Sequence, residues 1–364
     1  MADLLKNLYT EQWINQLGNA IAASYSSFNT NDFQSTVIHK DWADIPLKMR
    51  TRHITECIHE KLALTYPEQI EVLLDIAPQF QGLTALVFPT FVELYGLNHY
   101  RISLDALLIF TQYSTAEFAI RPFIVKYSET IKEMVKWTSH ENKHIRRLAS
   151  EGCRPLLPWA MKLKEFEKDP SPILPILENL RNDPEDYVYR SVANNLNDIS
   201  KNHPDLVLKL CKKWINESRT TRWVCKHALR TLLKKGNQEA MELFGFGAIK
   251  SIEVTDFTVD RDSYDIGDHG YFSFNILNHG IAGKFRVEYA IGYVKKSGSV
   301  NKKVFQIKET RLESGEVHAV KKKIDFKDLS TRKHYPGLHY LGIIINGYEV
   351  KRLSFGLKQP AFDA

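Results

Sequence analysis

Three seven-residue strings in the middle of the chain superpose without gaps: Ile145-Arg-Arg-Leu-Ala-Ser-Glu, Val188-Tyr-Arg-Ser-Val-Ala-Asn and Val224-Cys-Lys-His-Ala-Leu-Arg. They start 43 and 36 residues apart, spacings that bracket the period of two-helix HEAT or armadillo units. Such a unit cannot bury its apolar face alone, so the repetition predicts stacked helical pairs, an α-solenoid of HEAT-like repeats. The same alignment puts Arg147, Arg190 and Lys226 at one position and Glu151, Asn194 and Arg230 at another, one helical turn along the same face. Stacking then lays a mostly basic stripe along one surface. Polar helix faces are commonly just solvated, but recurrence in register favours an extended anion such as a nucleic-acid backbone. A net charge of +6 permits a polyanionic partner without requiring one.

The rest of the first 250 residues also reads helical. Leu4 to Ala23 and Met49 to Tyr66 carry apolar residues at helical spacing, and Pro67, Pro78, Pro89 and Gly96 punctuate the gaps. Composition changes near Gly245-Phe-Gly247. Beyond it, short β-rich runs follow one another: Ile252 to Val259, Tyr271 to Leu277, Phe285 to Val294, Lys302 to Ile307, His318 to Phe326 and His339 to Asn346. Turns such as Asn278-His-Gly280 and Asn346-Gly347 separate them. The expected chain is therefore mostly α with a β appendage: a solenoid over 1–250 and an antiparallel immunoglobulin-like β-sandwich over 251–364. Lys295, Lys296, Lys302, Lys303 and Lys321 to Lys323 concentrate charge in the sandwich, either to guard sheet edges or to touch phosphates.

Several chemistries are not suggested. Cys57, Cys153, Cys211 and Cys225 are scattered without metal-ligand spacing, so neither zinc nor a disulfide framework is expected, and a reducing, cytoplasmic setting fits. No basic-then-apolar start and no apolar run of about 18 residues points to secretion or a membrane span. No GxGxxG, GxxxxGK[ST] or GxSxG string occurs.

The stretch His140 to Trp159 is the most unusual locally. Ile145, Leu148, Ala149 and Gly152 form an apolar stripe, while Arg147, Glu151 and Arg154 share another face, a carboxylate between guanidiniums. Pro155 and Pro158 then end the helix and deliver Trp159 at a turn. Asp198, one turn past Asn194, is within reach of the face of Glu151, or pairs with Lys201 or Arg190. Glu117 stands four residues before Arg121, but Ser114-x-x-Glu117 also fits a capping box. Glu151 and Arg147 are equally readable as a wet surface ion pair, and Trp159 as a core residue between repeats. Trp137, Trp214 and Trp223 are expected in the core.

At Phe91-Val-Glu-Leu-Tyr-Gly96, Thr115 to Phe123, Asn142 to Ala160 and Ser191 to Asp198, the chain resembles the AlkC branch of the HEAT-like-repeat DNA glycosylases. The resemblance runs through roughly residues 1 to 250, and some members carry a C-terminal immunoglobulin-like domain. It implies excision of cationic alkylated bases, 3-methyladenine and 3-methylcytosine, from double-stranded DNA by a monofunctional glycosylase without metal or cofactor. It implies Glu117, Glu151 and Asp198 as active-site acids and Trp159 as the aromatic beside the lesion. Arg121, Arg147, Arg154, Arg190, Asn194, Lys226 and Arg230 become the DNA-binding set, and the protein is expected to be a monomer. The alternative is a non-catalytic HEAT-repeat scaffold that binds DNA or an acidic protein, its acids incidental.

Overall fold

The computed structural model of the chain describes residues 5–329 and 332–360. It forms two compact units, one of Met1–Val207 with Lys213–Ala228 and one of Leu208–Lys212 with Leu229–Ala364. The helical segment after Leu229 thus groups with the β-rich tail, upstream of the composition change near Gly245.

The first unit is helical. Its chain runs through α1 (Glu11–Ser24), α2 (Thr30–Val37), α3 (Leu47–Lys61), α4 (Tyr66–Ile76), α5 (Val87–Tyr95) and α6 (Tyr100–Phe110). It continues through α7 (Arg121–Lys126), α8 (Thr130–Trp137), α9 (Lys143–Gly152), α10 (Lys164–Lys168), α11 (Leu174–Leu180) and α12 (Asp186–Ile199). α13 (Pro204–Trp214) spans the division, α14 (Arg219–Ala228) closes the first unit, and α15 (Arg230–Lys234) and α16 (Gln238–Leu243) belong to the second.

Caps explain where the predicted helices shift. The Thr10 hydroxyl accepts from Trp13 N at 3.1 Å, so α1 begins at Glu11; Leu4, where the periodicity starts, lies outside the described residues. The run from Met49 to Tyr66 is split: α3 ends at Lys61, and Tyr66 opens α4 behind a capping box made by Thr65 and Glu68.

α9 carries the apolar stripe read from the sequence, with Ile145, Leu148, Ala149 and Gly152 all buried. Asn142 caps its start, its side chain accepting from His144 N at 2.8 Å. The stripe needs glycine at its end, because a Cβ on Gly152 would come within 2.6 Å of Ile120 Cγ2. α9 packs on α12, and α12 on α14. Buried polar clasps fix these contacts: Asn195 donates to Ser150 O at 2.9 Å, Ser150 and Ser191 hydroxyls meet at 2.7 Å, and Asn197 donates to Ala228 O at 2.8 Å. Every partner in them is buried, which makes the register between the helices costly to change.

The second unit holds two packed sheets. Its strands are β1 (Ile252–Val259), β2 (Ser263–Asp265), β3 (His269–Asn278), β4 (Gly283–Val294), β5 (Val300–Leu312), β6 (Val317–Asp325), β7 (Gly337–Ile345) and β8 (Tyr348–Lys358). One sheet has the order β1-β3-β6 and the other β2-β8-β7-β4-β5. Phe272, Phe274, Ile276, Val287, Ile291, Leu341, Ile343 and Phe355 belong to the core of this unit.

The expectation of a wholly antiparallel sandwich is corrected at one edge. The three residues of β2 pair parallel with β8, so the larger sheet is mixed. β1 already occupies an edge of the smaller sheet, and its continuation reaches the larger one at β8. β8 itself escapes the pattern reading because its half-exposed run Tyr348-Glu-Val-Lys-Arg lacks clean alternation. The predicted Asn346-Gly347 turn is present, with φ 46° and 84° at its two residues, the left-handed pair that a tight hairpin demands.

Candidate active site

Six side chains of alternating charge form one chain of contacts in the first unit. Arg147 donates from Nη1 to Glu117 Oε2 at 3.3 Å and lies 3.8 Å from Glu151 Oε1 through Nη2. Arg154 donates from Nη1 to the same Glu151 oxygen at 2.5 Å and from Nε to Asp198 Oδ2 at 3.0 Å. Lys201 closes the sequence on Asp198 Oδ1 at 3.0 Å. Glu117 comes from the turns before α7, Arg147 and Glu151 from α9, Arg154 from just beyond it, and Asp198 from the last turn of α12. The wet-surface reading of Glu151 and Arg147 does not hold: Glu117, Glu151 and Asp198 are 7%, 5% and 4% exposed.

Burial works against both guanidinium charges, and the carboxylates override it. Arg147 is held above its ordinary value by Glu117 and Glu151, and Arg154 by Glu151 and Asp198. The three acids are not equivalent. Both oxygens of Glu117 face Arg147, and both of Asp198 are engaged. Among the described residues, Glu151 Oε2 takes no hydrogen bond, yet it is not one of the buried unpaired atoms, so it keeps contact with solvent. A carboxylate oxygen oriented by two cations through its twin, and open on its own side, is placed to hold a water molecule or face a positive charge.

Glu117 is no capping residue. Ser114 bonds Gly82 O at 2.9 Å instead, and Glu117 lies in a turn. Nor does Glu117 pair with Arg121. That arginine, expected on the DNA face, is fully buried at 0% exposure and donates to Gly152 O and Met161 O, each at 2.8 Å. Burial lowers it to about 10, so it remains charged at neutral pH. It fastens the two ends of the segment that bears Trp159, which is a structural task and leaves no route to a phosphate.

Trp159 is not a core residue. It is 76% exposed and has φ 64°, a conformation that L side chains seldom adopt. Trp137 and Trp214 are buried as expected, but Trp223 is only half-buried and stacks on His227 at 4.8 Å.

On the remaining stripe, Arg190 pairs with Asp186 at 3.1 Å and lies over the Trp223 ring at 5.2 Å. Asn194 Oδ1 accepts from His227 Nε2 at 3.1 Å, and Lys226 stands half-buried on α14. The expected continuation from Lys226 to Arg230 along one helix is broken: α14 ends at Ala228, Leu229 takes φ −88° and ψ 6°, and Arg230 opens α15.

Sequence reasoning missed Tyr187, Thr115 and Lys48. The Tyr187 ring carries the Arg147 guanidinium at 4.5 Å, and Thr115 Oγ1 accepts from Arg147 at 3.1 Å. Lys48 donates to Trp159 O at 3.0 Å. A signal for Tyr187 existed, because extending each aligned string by one residue upstream gives His144, Tyr187 and Trp223, an aromatic ring in every repeat. Among the described residues no cluster of histidine, cysteine and acidic side chains could hold a metal, and no helix is long and apolar enough to cross a membrane.

Comparison with known proteins identifies the family. Residues 111–232 match the family of DNA alkylation repair enzymes, and residues 253–359 match the C-terminal Ig-like domain of the YhaZ proteins. The chain is 47% identical over 352 residues to the uncharacterized protein YhaZ of Bacillus subtilis (strain 168), covering 96% of this chain and 98% of that one. It superposes with a TM-score of 0.94 and 35% identity on the alkylpurine DNA glycosylase AlkC of Pseudomonas fluorescens, solved bound to DNA containing an abasic site analog, over 97% of this chain and 99% of that one. With the acids, guanidiniums and exposed tryptophan on the strings that suggested the likeness, the chain belongs to the AlkC-type DNA alkylation repair enzymes that carry a C-terminal Ig-like domain.

Proposed function

We propose that the protein is a monofunctional DNA glycosylase that excises cationic alkylated bases, 3-methyladenine and 3-methylcytosine, from double-stranded DNA. The observation that carries this reading is the buried array Glu117–Arg147–Glu151–Arg154–Asp198 with Glu151 Oε2 left open, on the segment that leads to exposed Trp159. Family membership supports it, as does the abasic product analog held by the superposed relative.

The chemistry follows from charge. N-alkylation makes the base cationic and a good leaving group, so the enzyme need not protonate it deeply. It must stabilise an oxocarbenium-like sugar and direct water to it, and a carboxylate does both. Glu151 Oε2 is the oxygen for that task, with Arg147 and Arg154 fixing its partner oxygen. An indole face adds cation–π attraction of about 0.5–2 kcal/mol toward a positive base, and little toward a neutral one. Lys201 is occupied by Asp198, and the reaction needs water, not an amine nucleophile.

Residues 1–250 carry catalysis and DNA binding in this reading. Their helices act as HEAT-like repeats, supported by the matched clasps between α9, α12 and α14. Arg190, Asn194 and Lys226 meet the backbone, the β domain grips it further, and the protein acts as a monomer. The test is release of 3-methyladenine and 3-methylcytosine from defined duplexes by the wild type and by Glu151→Gln, Asp198→Asn and Trp159→Ala. Losses of about 100-fold or more are expected for the acids. Undiminished release by all three variants would overturn the site assignment, and tight binding of alkylated DNA without an abasic product would favour the scaffold.

A further inference from the structure

Trp159 presents a mechanical problem. Its backbone is in the left-handed region at φ 64°, and its side chain is 76% exposed, so its own packing does not hold it there. Arg121 secures Gly152 and Met161, the ends of the segment, but not Trp159 itself. The direct hold comes from α3, 111 residues earlier in the chain, where Lys48 Nζ donates to Trp159 O at 3.0 Å. The same ammonium lies 5.8 Å from the centroid of Phe118, the residue after Glu117. It also neighbours the half-buried Glu93, whose carboxyl is raised by burial against the opposing charges of Lys48 and Arg52. A carbonyl thus accepts from this cation, beside an aromatic face and within the field of a carboxylate.

We propose that Lys48 is a positioning residue that locks the Trp159 peptide, so that the indole is presented in one orientation before DNA arrives. The proposal rests on the reading of Trp159 as the aromatic that meets the lesion. An aromatic that must be ordered during the reaction forfeits part of its effect, and one already ordered does not.

The experiment uses the full chain and four variants: Lys48→Met, Lys48→Arg, Trp159→Ala and the double variant Lys48→Met/Trp159→Ala. Single-turnover release of 3-methyladenine is measured at saturating enzyme, beside the Kd for duplex containing an abasic-site analog. Tryptic cleavage after the exposed Lys162 reports the order of the segment independently of activity. Lys48→Met is expected to slow the saturated rate by about tenfold with little change in Kd. Lys48→Arg should restore most of it, and Lys48→Met should cost nothing further in a chain already lacking Trp159. Cleavage after Lys162 should quicken in Lys48→Met at unchanged melting temperature. A weakened Kd with an intact saturated rate would make Lys48 a phosphate contact and overturn the proposal, as would additive losses in the double variant. If the wild type releases no base, or Trp159→Ala retains full rate, the reading of the site fails, and the cleavage assay alone then decides whether Lys48 orders the segment.

Discussion

Replacing Arg154 by methionine removes the guanidinium between two buried carboxylates while keeping much of the side chain's volume. Arg154 is 8% exposed, and it joins Glu151 at 2.5 Å to Asp198 at 3.0 Å. After the change Asp198 retains Lys201 at 3.0 Å, whereas Glu151 retains only Arg147 at 3.8 Å, beyond hydrogen-bond reach. Removing one partner of a buried ion pair costs about 3–5 kcal/mol, and the surviving contact of Asp198 places the loss near the lower bound, about 3 kcal/mol. In a unit of this size each kcal/mol shifts melting by roughly 2–4 °C, so the helical unit should melt about 6–12 °C lower. Thermal unfolding followed by circular dichroism measures the shift, with Arg154→Lys as a variant that restores one of the two contacts. A melting temperature within about 2 °C of wild type would falsify the reasoning.

Two other substitutions probe the backbone. Trp159→Gly removes a mostly exposed side chain and relieves φ 64°, a strain of about 1–3 kcal/mol, so melting should stay level or rise while excision of 3-methyladenine falls. A clear drop in melting temperature would mean that the indole is packed. Gly152→Ala brings a methyl to within 2.6 Å of Ile120 Cγ2 and should cost about 1–3 kcal/mol, read as a lower urea midpoint at an unchanged slope.

Much of the site was legible because helical spacing is itself a distance measure. Residues three and four apart share a face, so Arg147, Glu151 and Arg154 could be grouped without coordinates, and they do meet. Asp198 joined them through the repeat alignment, since equivalent positions on stacked helices are neighbours. The same rule misled at Glu117 and Arg121, where the chain is in turns and four residues no longer make one helical turn. Arg121 points into the core, where carbonyls at Gly152 and Met161 accept its hydrogen bonds. It misled again at Arg230, where a single non-helical residue ended the face.

The sequence alone determined what depends on local periodicity. That covers the helical first part, the apolar stripe of α9, the strand runs of the β domain and the grouping of Arg147, Glu151 and Arg154. Only the tertiary structure decided which side chains from distant segments share a charge. Arg147 could have served Glu151 alone, and it takes Glu117 as well because the turns before α7 lie against α9. It also decided that these pairs are buried rather than wet, that β2 joins its sheet in parallel, and that Trp159 is held out by a lysine 111 residues away. Burial and long-range pairing depend on how surfaces enclose one another, and no spacing along a single segment encodes that enclosure.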